Sequence, residues 1–220
     1  MKNKLTQIDY DKSGKIFFPF IRETDIRLRS DEYIVIHLDG VKFTSKHLKS
    51  LNTSIKKQIF DCLTNAAIEL CKYLKGCRIA YAYGDEVSIL LQGELVKGNF
   101  HNRIQKLCSI ASSVLSINFL NQLNSCDIKD LPKDFATNCF FAAKTYNIPN
   151  EKVTEYFKWR LVGCKKMIFD KRQSIDKCES WEKFGHLITF DGKTWKATST
   201  DFDNCKLVKE PQSEYFKLKG

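Results

Sequence analysis

Two short acidic motifs carry the residues best suited to chemistry. Leu38-Asp39-Gly40 and Gly84-Asp85-Glu86 each lie where an apolar run ends. If the two runs are neighbouring strands, Asp39 and Asp85 repel each other unless a divalent cation lies between them, and Mg²⁺ prefers hard oxygen ligands together with substrate phosphates. The pattern therefore indicates two-metal nucleotidyl transfer, to which Gly40 contributes only its backbone.

The same motifs have a simpler interpretation. Asp-Gly and Gly-Asp-Glu are ordinary turn sequences at the tips of β-hairpins. Spacing alone favours a plain turn over a catalytic site, so the local pattern does not decide between the two interpretations.

The segments around the motifs predict the elements that position them. Apolar runs of alternating or β-branched residues indicate strands, and apolar residues repeating every three or four positions indicate helices. The predicted elements are a strand from Tyr33 to Leu38, a helix from Asn52 to Gly76, a hairpin from Cys77 to Leu91 with an acidic tip, and a helix from Phe100 to about Leu123.

The second half of the chain predicts three further elements. They are a strand at about 139–148, a short helix at 150–160 and a strand at about 185–190. The order predicts an α+β fold of the ferredoxin-like, split βαβ kind, with an antiparallel sheet covered by helices. We expect residues 1–30 to form an N-terminal arm and residues 31–220 to form a single domain with a C-terminal extension.

Composition narrows the class of partner. There are 36 Lys and Arg against 26 Asp and Glu, a net charge of +10, which favours association with polyanions but equally fits a merely soluble basic protein. The nine cysteines form no C-x-x-C pair and no zinc-spaced cluster, and no apolar run is long enough to cross a bilayer. We therefore expect a cytoplasmic protein with no membrane segment.

Four blocks of sequence carry a resemblance to a known family. The blocks 36–43 and 80–89, which contain the two acidic motifs, resemble R-L-D-G-R-x-F and A-Y-x-Q-S-D-E-x-S-x of the tRNA(His) guanylyltransferase family, which includes 3′-to-5′ RNA polymerases. The blocks 141–149 and 156–160 resemble that family's F-D-x-R-x-x-x-x-P and Y-[FL]-x-W-R. The similarity covers about residues 33 to 190.

The resemblance implies a specific site. It implies a polymerase-palm fold, two Mg²⁺ ions on Asp39, the Gly40 carbonyl and Asp85, and nucleotide addition at the 5′ end of tRNA or a tRNA-like RNA, with ATP and GTP as substrates. Arg103 and Lys106 match the triphosphate-binding pair. A homodimer or homotetramer is also expected.

Further residues are assigned more loosely around these. We predict that Glu86 is catalytic and that Lys42, Phe43, His47 and Gly84 contact the nucleotide. Basic residues further along the chain are expected to contact RNA, namely Lys144, Arg160 and Lys165, with Lys166 beside them.

Strand alternation predicts the directions of two side chains. It predicts that Glu86 points to the opposite face from Asp85, where it would support the metal site or lie in solvent. The same argument predicts that His37 faces away from Asp39 and has a structural role.

Departures from the family pattern keep two alternatives open. Ala142 and Lys144 replace the acidic residue and the arginine of F-D-x-R, and residues 161–167 lack the family's H-I-N-N-L-Y-N motif. A non-catalytic RNA-binding member of the family is one alternative. The other is a palm-type nucleotide cyclase, because Tyr83-Gly84-Asp85-Glu86 is similar to the acidic hairpin of those enzymes.

Overall fold

A computed structural model describes residues 15, 19, 22–43, 48, 50–92, 99–129, 131–132, 135, 139–170 and 177–199, with side chains at 167–170 excepted. The elements in chain order are β1 Tyr33–Gly40, α1 Thr53–Tyr73, β2 Cys77–Tyr83, β3 Glu86–Gln92, α2 Ile104–Ser125, β4 Phe141–Ile148, α3 Val153–Asp170, α4 Ser180–Phe184, β5 His186–Phe190 and β6 Trp195–Thr198. Single 3₁₀ turns at Phe100–Asn102 and Asn150–Lys152 precede α2 and α3.

The sheet has the order β4-β1-β3-β2-β5-β6, and every neighbouring pair is antiparallel. The first four strands, with α1 between β1 and β2 and α2 between β3 and β4, form the split βαβ arrangement that the sequence predicts, so the predicted fold class is confirmed. The helix predicted as a short one at 150–160 is the longer α3, Val153–Asp170, and the sequence does not predict α4 and β6. Both are short, and β6 is a partly exposed edge strand of four residues that offers little periodicity.

The two faces of the sheet bury separate cores. Ile34, Ile36 and Leu38 of β1 belong to the core beneath α1 and α2, whereas Val35 belongs to the core beneath α3. Successive side chains of a strand point to opposite faces, and a strand that is buried on both faces therefore reads as a continuous apolar run. This is why β1 has the sequence of a central strand and holds the following Asp39 in a defined position.

The last residues of the predicted N-terminal arm bind the start of α2. The backbone N–H of Leu28 donates to the carbonyl of Asn102 at 2.9 Å, and that of Ile104 donates to the carbonyl of Ile26 at 3.0 Å. Nearby, the Asn99 side chain donates to the carbonyl of Lys75 at 2.6 Å. The start of α2 therefore lies at the end of the sheet where β1 and β2 begin.

No helix in the described part of the chain is long and apolar enough to cross a membrane. The eight cysteines within the described ranges are free thiols.

His186 at the start of β5 makes the fold sensitive to acid. Its Nδ1 lies 2.9 Å from Oγ1 of Thr64 on α1, and its ring packs 4.7 Å from that of Phe60. Burial lowers the pKa of His186 below its ordinary value, an effect that the Asp61 carboxylate opposes and the Lys57 ammonium reinforces.

We expect His186→Gln to reduce the loss of stability in acid. Above about pH 6.5 the histidine is neutral in both states, whereas below that pH the unfolded chain takes up a proton more readily than the folded chain, so stability falls until the folded pKa is passed. Urea unfolding at about pH 7.5 and about pH 5 measures the effect. An unchanged difference between the two midpoints in the variant would show that another group is responsible.

Candidate active site

The ends of β1 and the β2–β3 hairpin bring the two acidic motifs together. Asp39 lies directly across from Glu86 in the antiparallel ladder, and the backbone N–H of Gly40 donates to the carbonyl of Asp85 at 3.0 Å. Gly84 forms the tip of the hairpin with a φ of 57°, a left-handed conformation that favours glycine. Residues that are 46 positions apart in sequence are thus neighbours in one sheet.

Gly40 is required by the packing around it. A Cβ at this position would lie 2.7 Å from Cδ2 of Phe43 and 3.1 Å from Cβ of Asp85. The Phe43 ring is 1% exposed and packs against three other rings, those of Phe119, Phe135 and Phe141. The Phe43 ring is therefore part of the core beneath Gly40, and its predicted contact with a nucleotide stays a prediction.

Gly40→Ala is expected to destabilise the protein by about 1–3 kcal/mol, the usual cost of forcing an extra methyl into a packed site. The added methyl group pushes against a ring that its neighbours hold in place. Urea unfolding measures this loss, and a Gly40→Ala/Phe43→Leu double variant is the control, because the smaller side chain relieves the clash. Strictly additive losses in the double variant would contradict the proposed contact.

The two aspartates differ in exposure. Asp85 is 8% exposed, whereas Asp39 is exposed at the end of β1. Burial by the surrounding protein nevertheless raises the pKa of the Asp39 carboxyl above its ordinary value, and the positive charges of Lys144 and Arg160 act against that rise. Asp39 is therefore a carboxylate with two cations close enough to stabilise its charged form.

Lys144 is the exposed cation of this pair. It pairs with His37 across the β1–β4 ladder, and Ala142 pairs with Asp39, so the side chain of Lys144 lies on the same sheet face as Asp39. An acidic residue at position 142 would stand directly opposite Asp39 and repel it. Ala142 removes that repulsion and leaves Lys144 as the nearest charge on β4.

The predicted direction of His37 is wrong, whereas the direction of Glu86 relative to Asp85 stays a prediction. Residues two apart in a strand share a face, so His37 points to the same side as Asp39. Asp85 belongs to the turn between β2 and β3, where strand alternation does not apply. Glu86 faces α3, on the side of the sheet that carries Asp39.

A buried ion pair holds Glu86 against α3. The Arg160 guanidinium contacts the Glu86 carboxylate and donates to the hydroxyl of Tyr83 at 2.6 Å, and that hydroxyl donates to Oε2 of Glu86 at 2.6 Å. Arg160 is 8% exposed. The structure thus places the charge of Arg160 inside the protein, and its predicted contact with RNA stays a prediction.

A second chain of hydrogen bonds lies beside this pair. Nδ1 of His37 is 3.1 Å from Oγ of Ser88, and the Tyr156 hydroxyl donates to the same oxygen at 3.0 Å. Nε2 of His37 lies 3.7 Å from Oε2 of Glu86. Burial first, and then the charges of Arg160 and Lys144, lower the pKa of His37 to about 4, so the ring is neutral at physiological pH.

Burial also raises the pKa of the Tyr83 hydroxyl to about 12. The charge of Arg160 opposes this rise, whereas the charges of Asp85 and Asp39 add to it. Tyr83 therefore stays protonated and remains a hydrogen-bond donor to Glu86. Tyr83, Ser88 and Tyr156 are not predicted from sequence as part of this network. Strand alternation puts Tyr83, Glu86 and Ser88 on one face of the hairpin, but only the register with β1 shows that Asp39 shares that face.

Arg103 and Lys106 lie away from this site. They are at the start of α2, which contacts residues 26–28 and 75 at the end of the sheet where β1 begins, whereas Asp39 lies at the other end of that strand, about 20 Å away at the usual rise per residue. Arg103 also pairs with Asp25 at 2.5 Å. The structure does not bring these two residues to the aspartates of the same chain, and their predicted binding of triphosphate stays a prediction.

Four further residues are predicted to contact nucleotide or RNA, and the structure describes three of them. Lys42 is exposed just after Gly40, with a φ of 61°. Lys165 lies over the ring of Phe184, 5.7 Å from its centroid, and Lys166 is exposed. His47 falls outside the described residues, so its predicted role stays a prediction.

The oxygen donors at this end of the sheet fit Mg²⁺ better than a softer metal. They comprise the carboxylates of Asp39 and Asp85 and the backbone of Gly40, whose missing side chain lets Phe43 and Asp85 pack closely against it. Across the described ranges, no group of three or more His, Cys, Asp or Glu side chains forms a metal site. An ion here would thus need oxygens from water and from a substrate, as Mg²⁺ in nucleotide-handling sites usually does.

The family model and the curated relative that match this chain are both tRNA(His) guanylyltransferases. A sequence model of the tRNAHis guanylyltransferase family matches residues 20–149, more than half of the chain. The tRNA(His) guanylyltransferase of Debaryomyces hansenii is 29% identical over 163 residues, which are 69% of this chain and 57% of that protein. This chain therefore spans little more than half the length of that relative.

Solved structures resemble the fold at low sequence identity. A bacterial tRNA(His) guanylyltransferase-like protein in complex with GTP superposes with a TM-score of 0.75 at 20% identity, covering 94% of this chain and all of that one. The same kind of bacterial protein in complex with ATP gives a TM-score of 0.71 at 18% identity, with 94% and 100% covered. The tRNA(His) guanylyltransferase of Saccharomyces cerevisiae gives 0.60 at 17% identity, covering 84% and 96% of the two chains.

Proposed function

Because this chain belongs to the tRNAHis guanylyltransferase family, we propose that it is a nucleotidyltransferase that adds nucleotides to the 5′ end of tRNA or a tRNA-like RNA. The observation that carries the proposal is the meeting of the two acidic motifs, in which Asp39 stands opposite Glu86 and Gly40 is hydrogen-bonded to Asp85. A plain hairpin turn needs neither a second acidic motif on the neighbouring strand nor a glycine whose missing side chain lets the two motifs pack closely.

The side chains at this end of the sheet have distinct roles in the proposed reaction. Asp39, Asp85 and the Gly40 backbone would hold Mg²⁺, which when bound stabilises charge on the phosphates and assists the attacking hydroxyl. Lys144 faces the same side and supplies positive charge for a phosphate group. Glu86 is held by Arg160 and Tyr83, so it positions the β2–β3 hairpin that carries Asp85.

The reaction joins two phosphate-bearing substrates. The RNA 5′ end carries a triphosphate or is activated by ATP, and the 3′-hydroxyl of an incoming nucleoside triphosphate, GTP for tRNA(His) guanylylation, attacks its 5′ phosphorus. A bond forms between the 3′-oxygen and that phosphorus while the bond to pyrophosphate or AMP breaks. GTP and ATP are bound by the similar bacterial proteins, which supports both as substrates here. A cytoplasmic location and a homodimer or homotetramer remain predictions.

Labelling of an RNA 5′ end tests the proposal directly. The full chain is incubated with a tRNA lacking its first nucleotide, ATP and radiolabelled GTP, in Mg²⁺ or in EDTA. We expect label in the RNA only when Mg²⁺ and the RNA acceptor are both present. A cyclic dinucleotide formed from GTP alone would instead identify a cyclase, and tRNA binding with no labelling would identify a non-catalytic RNA-binding protein.

A further inference from the structure

Trp159 is a large aromatic side chain that the fold leaves in solvent. It is 60% exposed on α3. The Arg160 guanidinium carbon lies 4.7 Å from the centroid of its ring, and the Tyr156 ring is 6.0 Å away at a tilt of 57°. The ring is thus held in place by two neighbours while most of its surface stays open, although burying an indole normally stabilises a protein.

The flank of α3 that carries Trp159 faces the candidate active site. On an α-helix with 3.6 residues per turn, Tyr156, Trp159, Arg160 and Gly163 lie along one side. Three of these four approach the site from that side: Tyr156 reaches Ser88, Arg160 reaches Glu86, and a Cβ on Gly163 would lie 3.2 Å from the Tyr83 hydroxyl. Trp159 therefore lies just outside the network that holds Glu86 opposite Asp39.

The surface of α3 beyond Trp159 is positively charged. Lys158 and Lys166 are exposed and Lys165 is partly exposed, whereas Glu155, one turn before Trp159, is exposed but paired with Lys152. Lys166 is exposed on the same helical stripe as Trp159, seven residues and about 10 Å further along the axis, and Val162 between them is 61% exposed. An exposed aromatic ring beside a row of cations has the chemistry that single-stranded nucleic acid recognises, with bases stacking on the ring and phosphates facing the cations.

We propose that Trp159 is a stacking platform for an unpaired base at the 5′ end of the RNA acceptor. This inference rests on the proposed function, because the position of Trp159 beside Asp39 and Asp85 matters only if an RNA end is placed there. Arg160 packs against the ring and helps to fix its orientation, while its charge stays paired with Glu86. The RNA backbone then follows α3 towards Lys166, which accounts for the excess of cations on this helix.

Binding of RNA in the absence of nucleotide and metal tests the platform separately from catalysis. The probe is a fluorescent RNA hairpin with two unpaired nucleotides at its 5′ end, titrated with full-length protein in EDTA, and a second hairpin carries abasic residues at those positions. The variants are Trp159→Leu, which removes the ring, and Trp159→Phe, which keeps a stacking surface. Tyr73→Leu is the matched control, because Tyr73 is a 52% exposed aromatic residue on the opposite helical layer.

We expect Trp159→Leu to weaken binding of the base-containing hairpin roughly tenfold, within the range that loss of one base stack produces. Trp159→Phe and Tyr73→Leu should stay within about twofold of the unaltered protein. The abasic hairpin should bind the unaltered protein and Trp159→Leu equally weakly.

Equal affinity of Trp159→Leu and the unaltered protein for the base-containing hairpin would overturn the platform. An equal loss of affinity for the two hairpins would also overturn it. Sedimentation of the variants provides a further check: dissociation of a dimer by Trp159→Leu with unchanged RNA affinity would assign the ring to a contact between two copies of the chain. Failure of the labelling reaction in the unaltered protein would reject the proposed function but would leave this binding result readable.

Discussion

Asp85→Asn is expected to lower the rate of Mg²⁺-dependent labelling of an RNA 5′ end by about three orders of magnitude. The substitution keeps the size of the side chain but removes the negative charge that would hold the cation. A metal ion stabilises transition-state charge by several kcal/mol, and about 4 kcal/mol corresponds to a thousandfold in rate. Asp39→Asn should have an effect of the same order, because its carboxylate lies across the hairpin end from the same site.

The matched control is Asp31→Asn. The Asp31 side chain is 79% exposed and lies before the start of β1, at the opposite end of that strand from Asp39. The Asp31→Asn variant should label RNA like the unaltered protein. The urea midpoints of Asp85→Asn and Asp31→Asn should both equal that of the unaltered protein to within experimental error. Undiminished labelling by a folded Asp85→Asn variant would reject the metal site and leave the hairpin as a plain turn.

Arg160→Met is expected to have the largest effect on stability, about 3 kcal/mol of unfolding free energy. Removing one partner of a buried ion pair leaves the other charge without compensation, which typically costs 3–5 kcal/mol. The lower end is expected because 24% of the Glu86 side chain remains exposed. For a chain of this length, such a loss corresponds to a melting temperature lower by roughly 6–12 °C.

A double variant separates the ion pair from general packing. Arg160→Met/Glu86→Gln removes both charges, so it should be more stable than Arg160→Met alone. Arg29→Met is the control, because Arg29 pairs with Glu32 while 64% of its side chain is exposed, and a pair of this kind contributes at most about 1 kcal/mol. Equal stability of the single and double variants would show that Glu86 is not left unpaired.

Arg160→Met should also reduce labelling although Arg160 is assigned no contact with a substrate. Glu86 is the first residue of β3 and directly follows Asp85, so release of its carboxylate loosens the turn that carries the proposed metal ligand. At a temperature where both proteins are folded, we expect the catalytic rate constant to fall more than the Michaelis constant for GTP changes. An effect confined to the Michaelis constant would instead indicate a direct contact between Arg160 and nucleotide.

Local sequence determined most of the elements correctly. The structure agrees with the predicted strand before Asp39, the hairpin around Asp85 and the helices α1 and α2. Strand alternation, turn residues and helical periodicity are properties of neighbouring residues, so they can be read from the sequence. The start of α1 is also fixed locally, because the Asn52 side chain accepts a hydrogen bond from the backbone N–H of Ile55 at 2.9 Å. The motifs also indicated the family, since they record residue types at fixed spacing.

Tertiary structure decides whether a given basic or aromatic side chain lies at the candidate active site. Arg103 precedes the first residue of α2 and Lys106 lies in its first turn, but the direction in which α2 crosses the sheet puts that end of the helix far from Asp39. The sequence shows that Arg160 is a cation, but the packing of α3 buries its charge against Glu86. Phe43 follows the Asp39 motif closely, but three distant phenylalanines enclose its ring.

The sequence by itself therefore determined that Asp39 ends a strand, that Asp85 lies on a hairpin tip and that the chain belongs to a family using both motifs. These are consequences of backbone preferences and short-range patterning. Only the tertiary structure decided which strands are neighbours, which charges are neutralised within the protein and which aromatic ring is left exposed. Those properties arise from contacts between residues distant in the chain, where the direction of one helix moves a side chain from one end of the sheet to the other.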